Sequence, residues 1–356
     1  MKKVRIGIVG VGGIASGVHV PGYHETENCE IVAICDIDEE RLEKMGDKLG
    51  IPASHRFADY RDLISCEDVD AVDICTWNSV HCEIAEAAVA AGKPVSVEKP
   101  VGLNYKEALA LTQHAEEGQI PTFVCLSWRY RPHTRYLKYL LDHKKLGKLY
   151  HIYVRCIKDS GLWKGRKREW RFDTIRAGSG VLGDLGSHMI DIVRFFGEEF
   201  KEVYAQTGIF VHERPDEKSD AILPSDTDDW CNVLAKLESD TACTIQLSRC
   251  ATTVPDITEF EIYGEKGKLV FLSQNGTFRI AFTDAETRQE EILEVPSEFY
   301  AVQSRSFVDL INGIEDEYTC RIEQGLACQA VLDAALRSTQ QNRPVTIAEI
   351  KKENVR

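Results

Sequence analysis

The chain has 356 residues, of which 43% are hydrophobic and 28% charged, and its formal net charge is −14. This length favours two domains over one small core. The acidic balance excludes general binding to nucleic acid, whose phosphates require a positively charged surface. No segment approaches the roughly 18 uninterrupted apolar residues of a membrane span. The 12 cysteines are scattered without a CxxC pair, so we expect free thiols, no bound metal and a cytoplasmic location.

Strand-like and helix-like stretches alternate through the first third of the chain. The predicted strands are 4–9, 30–35, 71–75, 94–97 and 122–126, and the predicted helices are 13–23, 38–49, 80–91 and 105–117. Such alternation predicts right-handed crossovers and a parallel sheet that is covered on both faces. We therefore predict an α/β domain of the Rossmann type over residues 1–126.

The pattern changes after residue 127. A predicted helix is followed by stretches with partial period-two character, and further helices are predicted near 178–196 and, as a pair, near the C-terminus. The helix is 132–143, and the strand-like stretches are 149–157, 202–209, 230–237, 242–248, 258–263 and 268–271. Short turns between neighbours suit antiparallel hairpins, while the polar segment 212–224 is predicted to be an exposed loop. Residues 127–356 are therefore predicted to form an α+β domain on a large, mainly antiparallel open sheet that binds substrate and mediates oligomerisation.

A glycine-rich turn directly follows the first predicted strand. Its residues match the pattern G-x-G-x-x-G/A, with Gly10, Gly12, Gly13, Ile14 and Ala15 as the candidate contacts. The first glycine permits a tight turn, the second lets the backbone approach a pyrophosphate, and the small Ala15 allows close packing of helix on strand. The N–H groups of the following helix would face the phosphates.

Asp36 ends the second predicted strand, 24 residues after Gly12. A carboxylate at this position can accept hydrogen bonds from the hydroxyls of an adenosine ribose, and it would repel a 2′-phosphate. The next residues, Ile37 and Asp38, supply no compensating cation. The sequence therefore predicts NAD, with Asp36 and Ile37 beside its adenosine half.

Two polar segments follow the third and fourth predicted strands. The first contains Thr76, Trp77, Asn78 and His81, and the second is the triplet Glu98-Lys99-Pro100. Carboxyl ends of parallel strands are where open α/β sheets bind ligands. We expect both segments to contact the cofactor, and Lys99 to be a candidate acid or base.

The second predicted domain contains the segment Gly178–Asp191, with the pattern D-x-G-x-H-x-x-D. If it is helical from Gly183, Asp184 and His188 share one face because they are four residues apart. Lys158, which ends a predicted strand, and Trp170, which precedes this segment, are candidates for substrate contact.

Four motifs in this order resemble the family of glucose–fructose oxidoreductase and inositol dehydrogenase, known as the Gfo/Idh/MocA family. They are the glycine turn, the T-x-N-x-x-H segment, the E-K-P triplet and the D-x-G-x-H-x-x-D segment. The resemblance spans essentially the whole chain, and Arg129 looks like the family's arginine at the domain junction. Trp77 stands where the family usually has a proline.

The resemblance implies hydride transfer between a ring secondary alcohol of a sugar, cyclitol or glycoside and NAD. It also implies that Lys99, His188 and Asp184 form the catalytic group and that Arg129 contacts the substrate. Lys99 and His188 are the candidates for the base, and we assign the main role to Lys99 while leaving the order of the two open. Relatives of this kind also include NAD-assisted glycoside hydrolases and non-catalytic sugar sensors, which the motifs do not exclude. Because the predicted helices of the second domain are too few to cover its strands, we expect a homodimer or homotetramer.

Overall fold

The computed structural model describes residues 3–253 and 256–354. The chain divides into two compact units, Met1–Tyr130 with Ala301–Ala327, and Arg131–Tyr300 with Cys328–Arg356. Residues 301–327 thus belong by their contacts to the first unit, although their position in the sequence had assigned them to the second domain. The functional division at residue 126 stays a prediction, and the predicted domain ends at residues 1 and 356 lie outside the described residues.

The first unit contains a parallel sheet. Its strands are β1 (Val4–Val9), β2 (Cys29–Cys35), β3 (Arg56–Phe57), β4 (Ala71–Ile74), β5 (Val95–Glu98) and β6 (Thr122–Cys125). They pair in the order β3-β2-β1-β4-β5-β6. Strands β4, β5 and β6 are buried at every position, as expected for a parallel sheet that is covered on both faces. The predicted Rossmann-type fold is confirmed.

Helices connect these strands, and side-chain caps define where several of them begin. They are α1 (Val20–His24), α2 (Glu39–Leu49), α3 (Tyr60–Ser65), α4 (His81–Ala90) and α5 (Tyr105–Gly118). Asp38, Asp59 and Asn104 accept hydrogen bonds from the first turns of α2, α3 and α5, which satisfies N–H groups that have no partner within the helix. Before α1 the chain forms a π-helical turn, Ala15–His19, where a regular helix was predicted.

The second unit is built on a mixed sheet. Its strands are β7 (Leu149–Lys158), β8 (Phe200–Gly208), β11 (Trp230–Leu237), β12 (Ala242–Ser248), β13 (Asp256–Gly264), β14 (Gly267–Gln274), β15 (Thr277–Asp284), β16 (Glu290–Leu293) and β17 (Val345–Thr346). They follow the order β16-β15-β14-β13-β7-β12-β11-β8-β17. Strands β7 and β12 are parallel, and the other pairs are antiparallel. The predicted large, mainly antiparallel sheet is confirmed.

The structure modifies two local predictions for the second unit, one of a loop and one of the form of a helix. Residues 213–224 form a short hairpin of β9 (Glu213–Pro215) and β10 (Ile222–Pro224) rather than an irregular loop. Prolines are tolerated there because both stand at strand ends. The predicted helix from Gly178 is a π-helical turn, Leu182–Gly186, followed by a regular helix.

The remaining helices are α6 (Pro132–Asp142), α7 (Thr174–Ala177), α8 (Ser187–Phe195), α9 (Gln303–Ile311), α10 (Ile322–Gln341) and α11 (Ile347–Asn354). Three helices therefore follow residue 300 in the described part of the chain, where two were predicted. Phe307 of α9 packs against Phe123 of β6, with ring centroids 5.8 Å apart. The hydroxyl of Tyr130 accepts a hydrogen bond from the Cys320 N–H at 3.2 Å. These contacts place residues 301–327 in the first unit.

Two expectations about the chemical environment of the chain concern its cysteines and its apolar segments. All 12 cysteines are free thiols. Within residues 3–253 and 256–354, no helix combines the length and apolar character that crossing a bilayer requires.

Candidate active site

The glycine turn has the geometry of a phosphate cradle. Gly10 has φ +87°, and a Cβ at this position would lie 2.7 Å from the Cys75 carbonyl oxygen, so only glycine fits. A Cβ on Gly12 or Gly13 would meet no atom within 4 Å. The backbone at these two positions is therefore open to a ligand, as the approach of a pyrophosphate requires.

The helical segment after this turn begins close to the sheet. The Ser16 N–H donates to the Gly12 carbonyl at 3.0 Å, which starts the first turn. Ala15 is fully buried, whereas Ile14 and Gly13 keep partial exposure. The residues Gly12, Gly13 and Ile14 therefore present backbone N–H groups at the start of a helical segment, where an anion is favoured.

Asp36 connects the end of β2 to the glycine turn. The Val11 N–H donates to its Oδ2 and the Asp38 N–H to its Oδ1, both at 2.9 Å. Arg41 lies beside it, with Nη1 3.3 Å from each carboxylate oxygen. The adjacent Ile37 is 77% exposed. Sequence reasoning had considered only the two residues after Asp36 and missed this cation, which lies one helical turn further on.

The turn after β4 is tied to the E-K-P triplet by His81. This imidazole is fully buried, with Nδ1 2.8 Å from the Pro100 carbonyl oxygen and Nε2 3.2 Å from that of Thr76. Burial lowers the pKa of His81, so the ring is neutral and donates to one of the two carbonyls. Asn78 is buried, and Thr76 and Trp77 are half-buried. His81 therefore contributes to a cofactor site by holding the turn after β4 and the E-K-P triplet in position, not by direct contact through a free ring nitrogen.

Lys99 follows the last residue of β5. Its backbone N–H donates to Glu98 Oε2 at 3.1 Å, the Lys99-Pro100 peptide bond is cis, and the residue is half-buried. Glu98 itself is buried, and its other oxygen lies 2.9 Å from Nε2 of His19. The second ring nitrogen of His19 faces Asp73 at 2.8 Å.

His19 and Asp73 were missed by sequence reasoning. One signal was present, because Asp73 interrupts the otherwise apolar strand β4 and a buried carboxylate requires a partner. The polar atoms of His19, Asp73 and Cys75 also lie within 4.8 Å of one another. Burial raises the pKa of the Cys75 thiol to about 12, and both imidazole nitrogens already face carboxylates, so we assign no metal ion to them. The expectation of no bound metal stays a prediction.

In the second unit, Asp228 holds the π-helical turn that carries Asp184. It accepts hydrogen bonds from the Gly180 N–H at 2.5 Å and the Leu182 N–H at 2.9 Å. Burial raises the pKa of Asp228, while these two donors and the charge of Arg249 oppose that effect. Because a π turn holds more residues than an α turn, the regular i, i+4 geometry predicted for Asp184 and His188 does not apply unchanged. Both side chains are half-buried.

The three candidates for substrate contact have different surroundings. Arg129 is 4% exposed, with Nη2 3.3 Å from Gln324 Oε1 in the same unit. Lys158 pairs across the sheet with Asp256 at 3.2 Å. Trp170 is half-buried and has the Arg171 guanidinium 4.5 Å from its ring centroid. Arg171 in turn lies 3.7 Å from Asp184, so Trp170 and Asp184 are linked through this arginine.

The predicted cofactor residues meet at one edge of the first unit's sheet. Gly10, Asp36, Thr76 and Lys99 follow β1, β2, β4 and β5, which are neighbours in the order β2-β1-β4-β5. From β1 the chain continues first to β2 and β3 on one side and then to β4, β5 and β6 on the other side. The position beside β1 where the strand order changes side is where doubly wound sheets bind dinucleotides. These features define a dinucleotide-binding protein of the Rossmann class.

Comparison with known proteins assigns the family. Residues 4–125 match the model described as "Oxidoreductase family, NAD-binding Rossmann fold", and residues 134–270 match the model of the GFO/IDH/MocA C-terminal domain. Together the two matches span most of the chain, in the order typical of that family. The chain belongs to the Gfo/Idh/MocA family of oxidoreductases, and its first domain is an NAD-binding domain.

Characterised relatives cover nearly the whole chain. It is 27% identical to glucose-6-phosphate 3-dehydrogenase of Bacillus subtilis over 98% of this chain and 100% of that protein. It is 25% identical to myo-inositol 2-dehydrogenase of Thermotoga maritima, over 98% and 99%. Among solved structures, an oxidoreductase domain protein of Kribbella flavida has a TM-score of 0.87 at 26% identity, over 98% and 100%. Levoglucosan dehydrogenase in complex with NADH also has a TM-score of 0.87, at 22% identity over 97% and 99%, and shares the fold.

Proposed function

We propose that this protein is an NAD-dependent dehydrogenase that transfers a hydride between a ring secondary alcohol of a sugar, cyclitol or glycoside and the nicotinamide. One observation carries the proposal: the open glycine turn, Asp36 and Lys99 lie at one carboxyl edge of a sheet whose strand order reverses there. Membership of an oxidoreductase family supports the same reaction class.

The cofactor is proposed to lie along this edge. Gly10, Gly12, Gly13, Ile14 and Ala15 would hold the pyrophosphate, and the open backbone at Gly12 and Gly13 fits that role. Asp36 would accept the adenosine ribose hydroxyls, with the exposed Ile37 beside the adenine. Thr76, Trp77, Asn78, His81, Glu98 and Lys99 complete the proposed set. Bound NAD would supply the hydride acceptor.

The proton is proposed to move through side chains of this protein. Oxidation of an alcohol requires removal of its hydroxyl proton as the hydride leaves. We assign this transfer to the Lys99 amine, with His188 as its partner and Asp184 as a group that binds or orients the hydroxyl. Arg129, Lys158 and Trp170 are the proposed substrate contacts. For Lys158, the ion pair with Asp256 would have to open or be shared.

The substrate class is proposed from the chemistry named in the relatives, which are dehydrogenases of myo-inositol, glucose 6-phosphate and levoglucosan. All three substrates are polyhydroxylated rings. A screen of sugars, inositols and glycosides with NAD, which follows NADH absorbance and product together, tests the proposal. We expect NADH to accumulate with one of these rings. Release of an aglycone without NADH accumulation would contradict it and indicate a hydrolase.

We further propose a cytoplasmic location and a homodimer or homotetramer. The free thiols support a reducing compartment. The sheet of the second unit supports association, because Leu234, Thr244 and Tyr153 face each other in register across β11, β12 and β7. Leu234 is 56% exposed and Tyr153 38% exposed. An exposed row of this kind is a candidate face for a second copy of the chain.

A further inference from the structure

Three buried ionisable side chains form a chain of contacts at the carboxyl edge of the first unit's sheet. His19 belongs to the π-helical turn that follows the glycine turn. Its Nδ1 lies 2.8 Å from Asp73 Oδ2, and its Nε2 lies 2.9 Å from Glu98 Oε1. His19 is 2% exposed, Asp73 is fully buried and Glu98 is 8% exposed. We call this group the His19 bridge.

The hydrogen-bond geometry determines the charge of the bridge. A neutral imidazole has one donor nitrogen and one acceptor nitrogen, so it can satisfy only one carboxylate. An imidazolium donates from both nitrogens and satisfies both. Asp73 Oδ1 makes no hydrogen bond to the described residues, and Oδ2 has only the weak thiol donor of Cys75 at 3.7 Å besides His19. A neutral His19 would therefore leave a buried carboxylate without a counter-charge, which is strongly unfavourable. With an imidazolium, the bridge carries a net charge of about −1 from two carboxylates and one cation.

The other titratable groups around His19 are neutral. Burial raises the pKa of the Cys75 thiol to about 12 and raises those of Cys125 and Tyr23 well above their usual values. Asp73 and Glu98 are the carboxyl groups that face the two ring nitrogens. Although burial alone lowers the pKa of His19, the negative charge of Asp73 and its hydrogen bond raise it well above the usual value.

The bridge ends at Lys99. Both oxygens of Glu98 are occupied, one by His19 and the other by the Lys99 backbone N–H at 3.1 Å. The orientation of Glu98 is therefore fixed from two sides, and with it the backbone from which the Lys99 side chain departs. At its other end, His19 lies on the helical segment that begins at the glycine turn. The bridge thus connects the phosphate cradle to the proposed proton-transfer residue.

We propose that His19 is a positioning residue, which as a buried imidazolium holds Glu98 in place and thereby fixes the backbone of Lys99 relative to the glycine turn. The role in catalysis rests on the proposed function, because it assumes that Lys99 transfers the proton. The charge and geometry of the bridge do not depend on that assumption. The two parts can therefore be tested separately.

The first test requires no substrate. Nitrogen NMR of protein with isotope-labelled histidine should show one ring with both nitrogens protonated at neutral pH and well above it. This signal should be missing from H19Q and retained in H114Q, the matched control in which an exposed histidine that pairs with Glu86 is changed in the same way. A neutral tautomer for His19 at neutral pH would overturn the proposal. If this signal is present but no ring alcohol is oxidised, the bridge stands and the proposed function fails.

The second test uses the pH dependence of stability. A raised pKa in the folded state gives a contribution that is complete below the unfolded value, about 6.5, and is lost as the pH rises through the folded value. The double variant H19Q/D73N has no imidazole to titrate and retains Glu98. The difference in thermal midpoint between wild type and double variant should therefore shrink as the pH rises above neutrality. A difference that grows over this range would overturn the proposal.

The third test uses catalysis and compares three states of the bridge. H19Q leaves Asp73 and Glu98 facing an uncharged amide, whereas H19Q/D73N leaves Glu98 as the one carboxylate, to which the introduced amide can donate. We expect kcat to fall about tenfold in H19Q, the effect of about 1.4 kcal/mol on the barrier, because Glu98 loses the partner that holds it in place. It should recover in H19Q/D73N, with KM for NAD nearly unchanged in both variants. An unchanged kcat in H19Q, or no recovery in the double variant, would show that the bridge does not position Lys99.

Discussion

Asp36 is shared among three groups: the glycine turn, the start of α2 and the guanidinium of Arg41. Its two oxygens accept N–H groups from Val11 and Asp38, and Arg41, which is half-exposed, lies 3.3 Å from both. The carboxylate therefore shapes the turn as well as carrying the charge that disfavours a 2′-phosphate. Arg41 is a cation already in position next to it, which suggests how cofactor preference could be changed.

We predict that D36S increases kcat/KM for NADP by about tenfold to a hundredfold, which corresponds to about 1.4–2.8 kcal/mol. The serine removes the repelling charge and releases Arg41 Nη1 from Asp36, so that this guanidinium, which also lies 3.5 Å from Asp38, can pair with the 2′-phosphate. Steady-state kinetics with both cofactors would measure the change. In D36S/R41A the gain should disappear. A gain that persists in the double variant would show that Arg41 has no part in it.

At this scale, sequence patterns found the residues whose partners are local. The glycine turn, Asp36 and Lys99 were found because each directly follows a predicted strand. His19 was not identified from the sequence, because its partners Asp73 and Glu98 lie 54 and 79 residues further along the chain. No spacing rule connects these positions before the order of β4 and β5 in the sheet is known.

Among the secondary-structure elements, the π-helical turn Leu182–Gly186 matters most for the site in the second unit. Asp228 binds the N–H groups of Gly180 and Leu182 and so fixes the start of this turn. A Cβ at Gly180 would lie 1.9 Å from the Asp228 carbonyl oxygen, so the two segments approach too closely for any other residue at that position. Asp184 and His188 are positioned by this contact.

We predict that D228N lowers the free energy of unfolding by about 1.5–3 kcal/mol, because an amide can accept only one of the two bonds and turns a donor towards the other N–H. KM for the sugar should rise while the affinity for NADH is retained, since the change lies in the second unit. Denaturant unfolding, substrate kinetics and NADH fluorescence measure these effects. D220N, in an exposed loop, is the control. Equal sugar KM in D228N and wild type would contradict this role.

The strand predictions were accurate where apolar and polar residues alternate along the strand. Trp230–Leu237 and Ala242–Ser248 agree with the structure in full, because one of their faces is buried. Thr277–Asp284 and Glu290–Leu293 were missed because they lie near the edge of the sheet. The first three residues of the former and most of the latter are exposed, so neither shows a regular pattern. The π-helical turns leave no periodic signature of their own.

For the whole molecule, the sequence did not predict that residues 301–327 return to the first unit. Phe307 contacts Phe123 of β6, and Cys320 contacts Tyr130, although the partners are far apart in the sequence. The apolar pattern of a helix does not indicate in which of two domain cores it packs. The number of strands in the second unit was underestimated for the edge-strand reason given above. The larger number of strands strengthens the expectation that helices leave part of this sheet uncovered.

We predict that L234R reduces the molecular mass in solution to that of the monomer, because a charge at the β11 end of the row Leu234, Thr244 and Tyr153 must be desolvated for two copies to associate. Light scattering of wild type and variant would measure it. I314R, which alters a residue of the first unit that is 47% exposed, is the matched control. A wild-type protein that is already monomeric at micromolar concentration would contradict the proposed assembly.

The most direct measurement of the central claim compares NADH formation by wild type and K99A on the ring alcohol that the screen identifies. We predict that K99A loses about 10²–10⁴-fold in kcat, the range for a general acid or base, and that its affinity for NADH changes far less, because Lys99 is one of many proposed cofactor contacts. K106A, a change of an exposed lysine on α5, should behave like the wild type. Turnover by K99A at the wild-type rate would contradict the account, because proton transfer would then not pass through the amine at the end of β5.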